Sequence, residues 1–275
     1  MPRKLVDPET GQVFDNVVFI RTKEQQKAWQ DKKRVAEPRR HSFTFSHMEN
    51  TKEVISMSTT VELGYFLMLQ TFIDYENNML VKSQKDKIPM SRRDIGKVLG
   101  ISNRSIVKKH IDNFLEKGLL TTKQVTVNGK EYTALFVNPK YHFKGATNNA
   151  KVVKTFSSQI RKLYSHKGIK PADMGFLYLL IPYLHMKDNT LCSNPYEPDV
   201  KKVDALSMSE ISEITGLDRK NVLTRICRLK WDGMRVFAKV VTGKETHLKV
   251  NPRVFWRQDG EPPQVLVDMF LIKGK

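Results

Sequence analysis

The chain contains an internal repeat, so its fold must be built from a unit that occurs twice. Glu62-Leu63-Gly64-Tyr65-Phe66-Leu67-Met68-Leu69 and Asp173-Met174-Gly175-Phe176-Leu177-Tyr178-Leu179-Leu180 preserve acidic, apolar and glycine character at a separation of 111 residues. The same separation pairs Asn78 and Leu80 with Asn189 and Leu191, and Thr44-Phe45-Ser46 with Thr155-Phe156-Ser157. Ser91…Asp94-Ile95 then meets Ser207…Glu210-Ile211, and Gly100-Ile101 meets Gly216-Leu217. Gly129-Lys130-Glu131 meets Gly243-Lys244-Glu245, and Val137-Asn138-Pro139 meets Val250-Asn251-Pro252. The offset drifts only between 111 and 116, as short loop insertions would make it. Any one match is within the reach of chance; matches in the same order along both copies are not. The expected domains are an N-terminal hairpin and basic arm (1–41), a first copy (42–146), a linker helix with the second copy (147–257), and a tail (258–275).

Each copy opens with an apolar helix, Val61 to Tyr75 in the first, followed by a short strand around Leu80 or Leu191. Ser-x-x-acidic at Ser91…Asp94 and Ser207…Glu210 then marks a helix start, because the serine oxygen and the carboxylate cap each other's backbone amides. The helices so started are short, Arg92 to Leu99 and Met208 to Thr215. After a glycine turn, Ser102 or Asp218 opens a further helix. Ile106, Val107, Ile111 and Phe114, or Val222, Ile226 and Leu229, form its buried stripe. Gly118 and Gly233 are expected to stop it. Two short helices across such a turn make a helix-turn-helix, the second being the recognition helix. Strands around Asn128-Gly129, and Phe237 to Val250 around Thr242-Gly243, predict a hairpin after each pair. That order predicts a mainly α fold with small β wings (α+β): two tandem winged helix-turn-helix domains.

Lys and Arg number 47 against 29 Asp and Glu in 275 residues, a formal charge of +18 with pI near 9.8. Such an excess favours an anionic partner, and nucleic acid is the commonest. The expected partner is double-stranded DNA, contacted by the exposed sides of the two recognition helices. Asn103, Arg104, Ser105, Lys108 and Lys109 lie on the first, and Arg219, Lys220, Asn221, Thr224, Arg225 and Arg228 on the second. Arg reads guanine bidentately and Asn reads adenine, so Arg104, Asn103, Arg219, Asn221 and Arg225 are the candidates for base contact. Lys108, Lys109, Lys220, Arg92 and Arg93 are the candidates for phosphate contact, and Lys130 and Lys244, just past the hairpin turns, for an adjacent groove or backbone. Two half-sites read side by side are expected about 10–10.5 base pairs apart, or a multiple of that.

Asp7-Pro8-Glu9-Thr10-Gly11 between Leu5-Val6 and Gln12-Val13-Phe14 predicts a small hairpin. For the basic stretch Thr22 to Ala36 the residues leave three alternatives open: a solvated linker helix, an arm tracking the DNA backbone, or a self-association surface around Trp29. Lys151 to Tyr164, with Val152, Phe156, Ile160 and Leu163 on one face, is expected to be a helix joining the copies. Val265 to Ile272 is apolar enough to pack as a strand or to dock on a partner. Cys192 and Cys227 are in no metal-ligand spacing, and no signal segment or membrane span is read. The expectation is a reduced cytoplasmic protein associated with the nucleoid. No P-loop, dinucleotide fingerprint or His-carboxylate metal spacing occurs, so neither enzyme chemistry nor a cofactor is expected.

The opening Val6-Asp7-Pro8-Glu9-Thr10-Gly11-Gln12-Val13 and the segment Phe136-Val137-Asn138-Pro139-Lys140-Tyr141 resemble replication proteins of plasmids and phages of Gram-positive bacteria. The tandem arrangement is similar to that of iteron-binding replication initiators. The resemblance implies a protein that binds an origin and recruits the host replication machinery without chemistry of its own. The alternatives are a transcriptional regulator of a mobile element, working with the transcription machinery, and an RNA-binding protein.

Overall fold

In the computed structural model the described residues are 5–6, 13–14, 42–75, 77–242 and 245–272. The chain divides into two compact units, Met1–Arg40 and His41–Lys275. In the first, β1 (Leu5–Val6) pairs antiparallel with β2 (Val13–Phe14), Leu5 opposite Phe14, which is the small hairpin expected there. The turn between these strands and the stretch Thr22 to Ala36 lie outside the described residues.

The second unit contains the repeat. Its first half runs β3 (Phe43–His47), α1 (Met48–Ser56), α2 (Thr60–Leu69), α3 (Arg92–Leu99), α4 (Arg104–Glu116), β4 (Leu120–Val127), β5 (Lys130–Val137) and β6 (His142–Phe143). Its second half runs β7 (Val152–Phe156), α5 (Ser157–Ser165), α6 (Pro171–Leu179), α7 (Met208–Thr215) and α8 (Arg219–Arg228). It then continues through β8 (Lys230–Trp231), β9 (Met234–Arg235), β10 (Phe237–Thr242), β11 (Glu245–Val250), β12 (Phe255–Trp256) and α9 (Gln264–Asp268). The correspondence reaches single hydrogen bonds. Asn78 and Asn189 are buried, adopt positive φ (62° and 56°), and donate through Nδ2 to the Val137 and His142 carbonyls and to the Val250 and Phe255 carbonyls.

The halves do not form two tandem winged-helix domains. Residues 41–275 are one compact α+β unit with several small antiparallel sheets, and the contact between the halves lies at its centre. The strands β12-β7-β3-β6 form a single four-stranded sheet in which β3 and β7, one from each half, are the antiparallel middle pair. The strand-to-helix junctions His47–Met48 and Phe156–Ser157 correspond, and Phe45 stands opposite Lys154, its structural equivalent, so a pseudo-two-fold axis passes between them; the expected match of Thr44 with Thr155 is out of register by two residues. Under the sheet, α2 crosses α6. A Cβ on Gly64 would lie 1.9 Å from the Pro171 carbonyl oxygen, and one on Gly175 would lie 1.7 Å from that of Thr60. Only glycine allows so close a crossing, and the contact is reciprocal, as a two-fold requires.

The physical reason lies in α2 and α6 themselves. Glu62 through Leu69 and Asp173 through Leu179 are all buried, so neither helix has a face for solvent. A helix apolar all round must be covered on every side, and one half supplies too few elements to do so. The other half supplies the cover. Each fully buried Leu or Phe here contributes about 1.5–3 kcal/mol, and Leu63, Phe66, Leu67, Phe176 and Leu177 belong to one continuous core.

Local expectations are also corrected: the helix expected over Val61 to Tyr75 ends at Leu69, with a single 3-10 turn at Gln70–Phe72 after it, and α4 is capped by Asn103 rather than Ser102. Lys151 to Tyr164 is not one helix; Val152–Phe156 is the strand β7, and the helix begins at Ser157. Helix α8 ends at Arg228 rather than running to Gly233, which occupies the turn of the β8–β9 hairpin. The tail is a short helix, α9, and it docks on its own chain. Arg235 N donates to the Phe270 carbonyl at 2.8 Å and Ile272 N to the Gly233 carbonyl at 2.7 Å, with Val267 and Phe270 buried. No helix of the described residues is long and apolar enough to cross a membrane.

Candidate nucleic-acid interface

The helix pair α3–α4 is fixed by its caps and by one glycine. Ser91 Oγ accepts from Asp94 N at 3.2 Å while Asp94 Oδ2 accepts from Ser91 N at 3.0 Å, the reciprocal box expected from the sequence. Gly96 lets the helices close: a Cβ there would lie 2.9 Å from the Ile101 carbonyl oxygen and 3.0 Å from Val107. Asn103 caps α4, its Oδ1 accepting from Ser105 N at 2.9 Å and Ser105 Oγ at 2.7 Å. The Asn103 side-chain oxygen is thereby committed to the helix start, and the cap of α4 is neutral.

Around this corner Arg92, Arg93, Lys97, Arg104 and Lys108 line a groove floored by Gly96, Ile101 and Val107. All five cations are exposed. Asp112 partly neutralises two of them, with Oδ2 2.5 Å from Lys108 Nζ and Oδ1 3.8 Å from Arg92 Nη2. Arg93, Lys97 and Arg104 have no ion-pair partner among the described residues. Lys109 is exposed but does not line the groove. Lys97 was not singled out in the sequence, although its position one turn beyond Arg93 on the same short helix is the signal that marks it.

The second pair differs. Asp173 sits fully buried at the start of α6 and accepts from Lys170 N at 2.8 Å. The Arg228 guanidinium donates to it, and Arg225 Nη1 lies 4.0 Å away while donating to the Ala172 carbonyl. Arg225 is 17% exposed and lies over the Phe176 ring, where burial lowers its pKa from the ordinary arginine value. These two arginines, candidates for DNA contact from sequence, are turned inward onto the protein. The first half has the same device in Glu62, which accepts from Thr59 N at 2.8 Å, from Lys117 Nζ at 3.0 Å and from Asn113 Nδ2. Burial pushes the Glu62 carboxyl up, but hydrogen bonds from Thr59 and Lys117 outweigh it and leave the pKa lowered.

At the tip of α8, Asp218 accepts from Asn221 N at 2.8 Å and Asn221 Nδ2 at 2.6 Å. The backbone hydrogen bond from Asn221 holds the Asp218 carboxyl below its usual range. Thr224 Oγ1 returns to the Lys220 carbonyl at 2.8 Å. Of the six residues expected to face DNA on this helix, Arg219 and Lys220 are exposed with no ion-pair partner among the described residues. They line a second groove, along α8, with Leu223, Thr224, Cys227, Arg228, Lys230 and the loop residues His166 and Lys167.

The β4–β5 hairpin turns through Asn128 and Gly129, both at positive φ (51° and 74°), as a tight two-residue turn requires. Lys130, exposed, begins its return strand. Lys244 lies outside the described residues. No cluster of three or more His, Cys, Asp or Glu able to hold a metal occurs among the described residues. No family model, no curated protein and no solved structure matches this chain.

Proposed function

We propose that this chain is a sequence-specific double-stranded DNA-binding protein whose first helix pair, α3–α4, enters the major groove. One observation carries the reading: the cationic groove at the N-terminal end of α4, where Arg92, Arg93, Lys97, Arg104 and Lys108 converge on a neutral cap. A helix N-terminus carries the positive end of the macrodipole, so phosphates flanking a groove are attracted by backbone and side chains together. Arg104 is the first residue of α4 and is exposed without a carboxylate partner among the described residues, which suits a side chain that reads a guanine edge. Arg92, Arg93, Lys97 and Lys108 supply phosphate contact, and Lys130 at the hairpin turn reaches the flanking backbone.

The resemblance of Val6–Val13 and Phe136–Tyr141 to replication proteins makes an origin the proposed target and the nucleoid the proposed place of action, with no chemistry of its own. The test is selection of bound sequences from a random duplex library, followed by salt titration of the selected duplex against scrambled duplex and RNA. Enrichment of a motif, with the selected duplex bound tighter than either competitor, is the expected result. Equal affinity for RNA and scrambled duplex with no enriched motif would remove the reading.

A further inference from the structure

We propose that the groove along α8 is a second DNA-binding site that holds the phosphodiester backbone without reading bases, so that the two halves of the repeat meet DNA in different ways. This inference rests on the DNA-binding reading above.

The pseudo-two-fold places α3 and α7 in equivalent positions, but their charges are opposite in sign. Helix α3 offers Arg92, Arg93 and Lys97 against Asp94; helix α7 offers Met208 and Ser209 in the places of the two arginines, with Glu210 and Glu213. The cap is reversed as well: neutral Asn103 opens α4, whereas ionised Asp218 opens α8. Entering a major groove tip-first, the second pair would carry Glu210, Glu213 and Asp218 toward two phosphate backbones, and like charges would repel it. Of its base-reading candidates Asn221 is occupied by Asp218 and Arg225 by the Ala172 carbonyl, Arg228 is held by Asp173, and Arg219 is left exposed.

Positive charge in this half lies along the side of α8 instead. Arg219 and Lys220, Leu223 and Thr224, Cys227 and Arg228 repeat at helical spacing and face one groove. Exposed His166 and Lys167, from the loop between α5 and α6, and Lys230, at the start of β8, complete it. In the first half α1 ends at Ser56 as α5 ends at Ser165, and the residues that follow, in the places of His166 and Lys167, are Met57 and Ser58, so the basic loop belongs to the second half alone. Lysines on flexible stems, with no planar arginine fork pointing outward except Arg219, attract phosphate as point charges and carry little sequence information.

The test uses the full chain with Lys167, Lys220 and Lys230 all replaced by alanine (K167A/K220A/K230A), three exposed positions outside the core. Affinity for selected and for scrambled duplex is measured across a salt series. Both affinities are expected to fall by the same factor, and the preference between them to stay constant. The slope of log affinity on log salt should flatten by about 3, at about 0.9 for each phosphate that is no longer neutralised. A variant that binds like wild type with an unchanged slope would show that no DNA lies in this groove. A variant whose preference for the selected duplex falls would show that the second half reads bases. Either result overturns the inference while leaving DNA binding itself intact. Wild-type protein with no affinity for duplex would instead overturn the underlying reading, and this one with it.

Discussion

Glu62 and Asp173 stand at equivalent positions, and each ties the helix that follows the turn back to the core. A buried carboxylate is costly to leave without its hydrogen-bonded cation, and Asp173 has its one direct side-chain hydrogen bond from Arg228, with Arg225 4.0 Å away. Arg228→Ala should therefore lower stability by about 1.5–3 kcal/mol, the usual worth of a hydrogen bond to a charged group, measured by urea unfolding. Arg225→Ala should likewise destabilise while leaving the preference for selected over scrambled DNA unchanged. A variant of either kind with wild-type stability and relaxed sequence preference would show the arginine to face DNA after all. A different residue governs the acid side. His142 is wholly buried, its Nδ1 2.9 Å from Ser46 Oγ and its Nε2 2.7 Å from the Tyr178 hydroxyl, and burial lowers its pKa from 6.5 to about 3. Below pH 6.5 the unfolded chain takes a proton that the folded chain refuses, so stability falls as pH drops from about 6.5 toward 3, by up to about 1.4 kcal/mol per pH unit. His142→Gln should flatten the dependence of stability on pH between 6 and 4 by close to one proton. An unchanged slope would mean that His142 is protonated in the fold. At this scale the sequence was only half legible. The caps at Ser91 and Ser207 follow from local chemistry and are readable, whereas the inward turn of Arg225 and Arg228 depends on Asp173, some 50 residues away in the chain.

Helix crossing is where elements decide the fold. With a carbonyl oxygen 1.9 Å from the position a Cβ would take, Gly64→Ala cannot be absorbed by a rotamer change, because the obstacle is backbone. Overpacking of this kind costs about 1–3 kcal/mol or more, and we expect the upper end, seen as a lowered Tm that Gly100→Ala does not share through crowding, since nothing lies within 4 Å of a Cβ at Gly100. Equal tolerance of alanine at Gly64 and at an exposed surface position would contradict the crossing. The repeat was visible in sequence because glycine and acidic positions recur in the same order at an offset that drifts only between 111 and 116. The strand β7 was not, since Val152, Phe156, Ile160 and Leu163 fit a helical stripe and only pairing with β3 decides for the strand. The end of α8 was missed for a related reason: Leu229 continues the helical stripe, yet Trp231 and Met234 pair across Asp232-Gly233 to form a hairpin that underlies the tail.

At the scale of the molecule, the two copies of the repeat act as one folding unit. Without the other, each copy leaves one edge of its inner strand, β3 or β7, unpaired and its apolar helix half-covered, so a fragment of residues 42–146 alone should fail to fold, and residues 41–275 should unfold in a single transition. Two separable transitions, or a fragment with native-like helix content, would restore independent domains. The sequence revealed the duplication but not this fusion, because a local pattern shows which face is apolar and not which partner covers it. The duplication also separates shape from charge: the backbone keeps its pseudo-two-fold while the charges on α3 and α7 are inverted. The central claim, that the first helix pair reads duplex DNA, is most directly tested by selecting bound sequences from a random duplex library with the wild-type chain and with Arg104→Ala. The account predicts one short enriched element for wild type. In the variant that preference should weaken by about 1–3 kcal/mol while affinity for scrambled duplex is largely kept. No enriched element, or an element that survives Arg104→Ala unchanged, would contradict it.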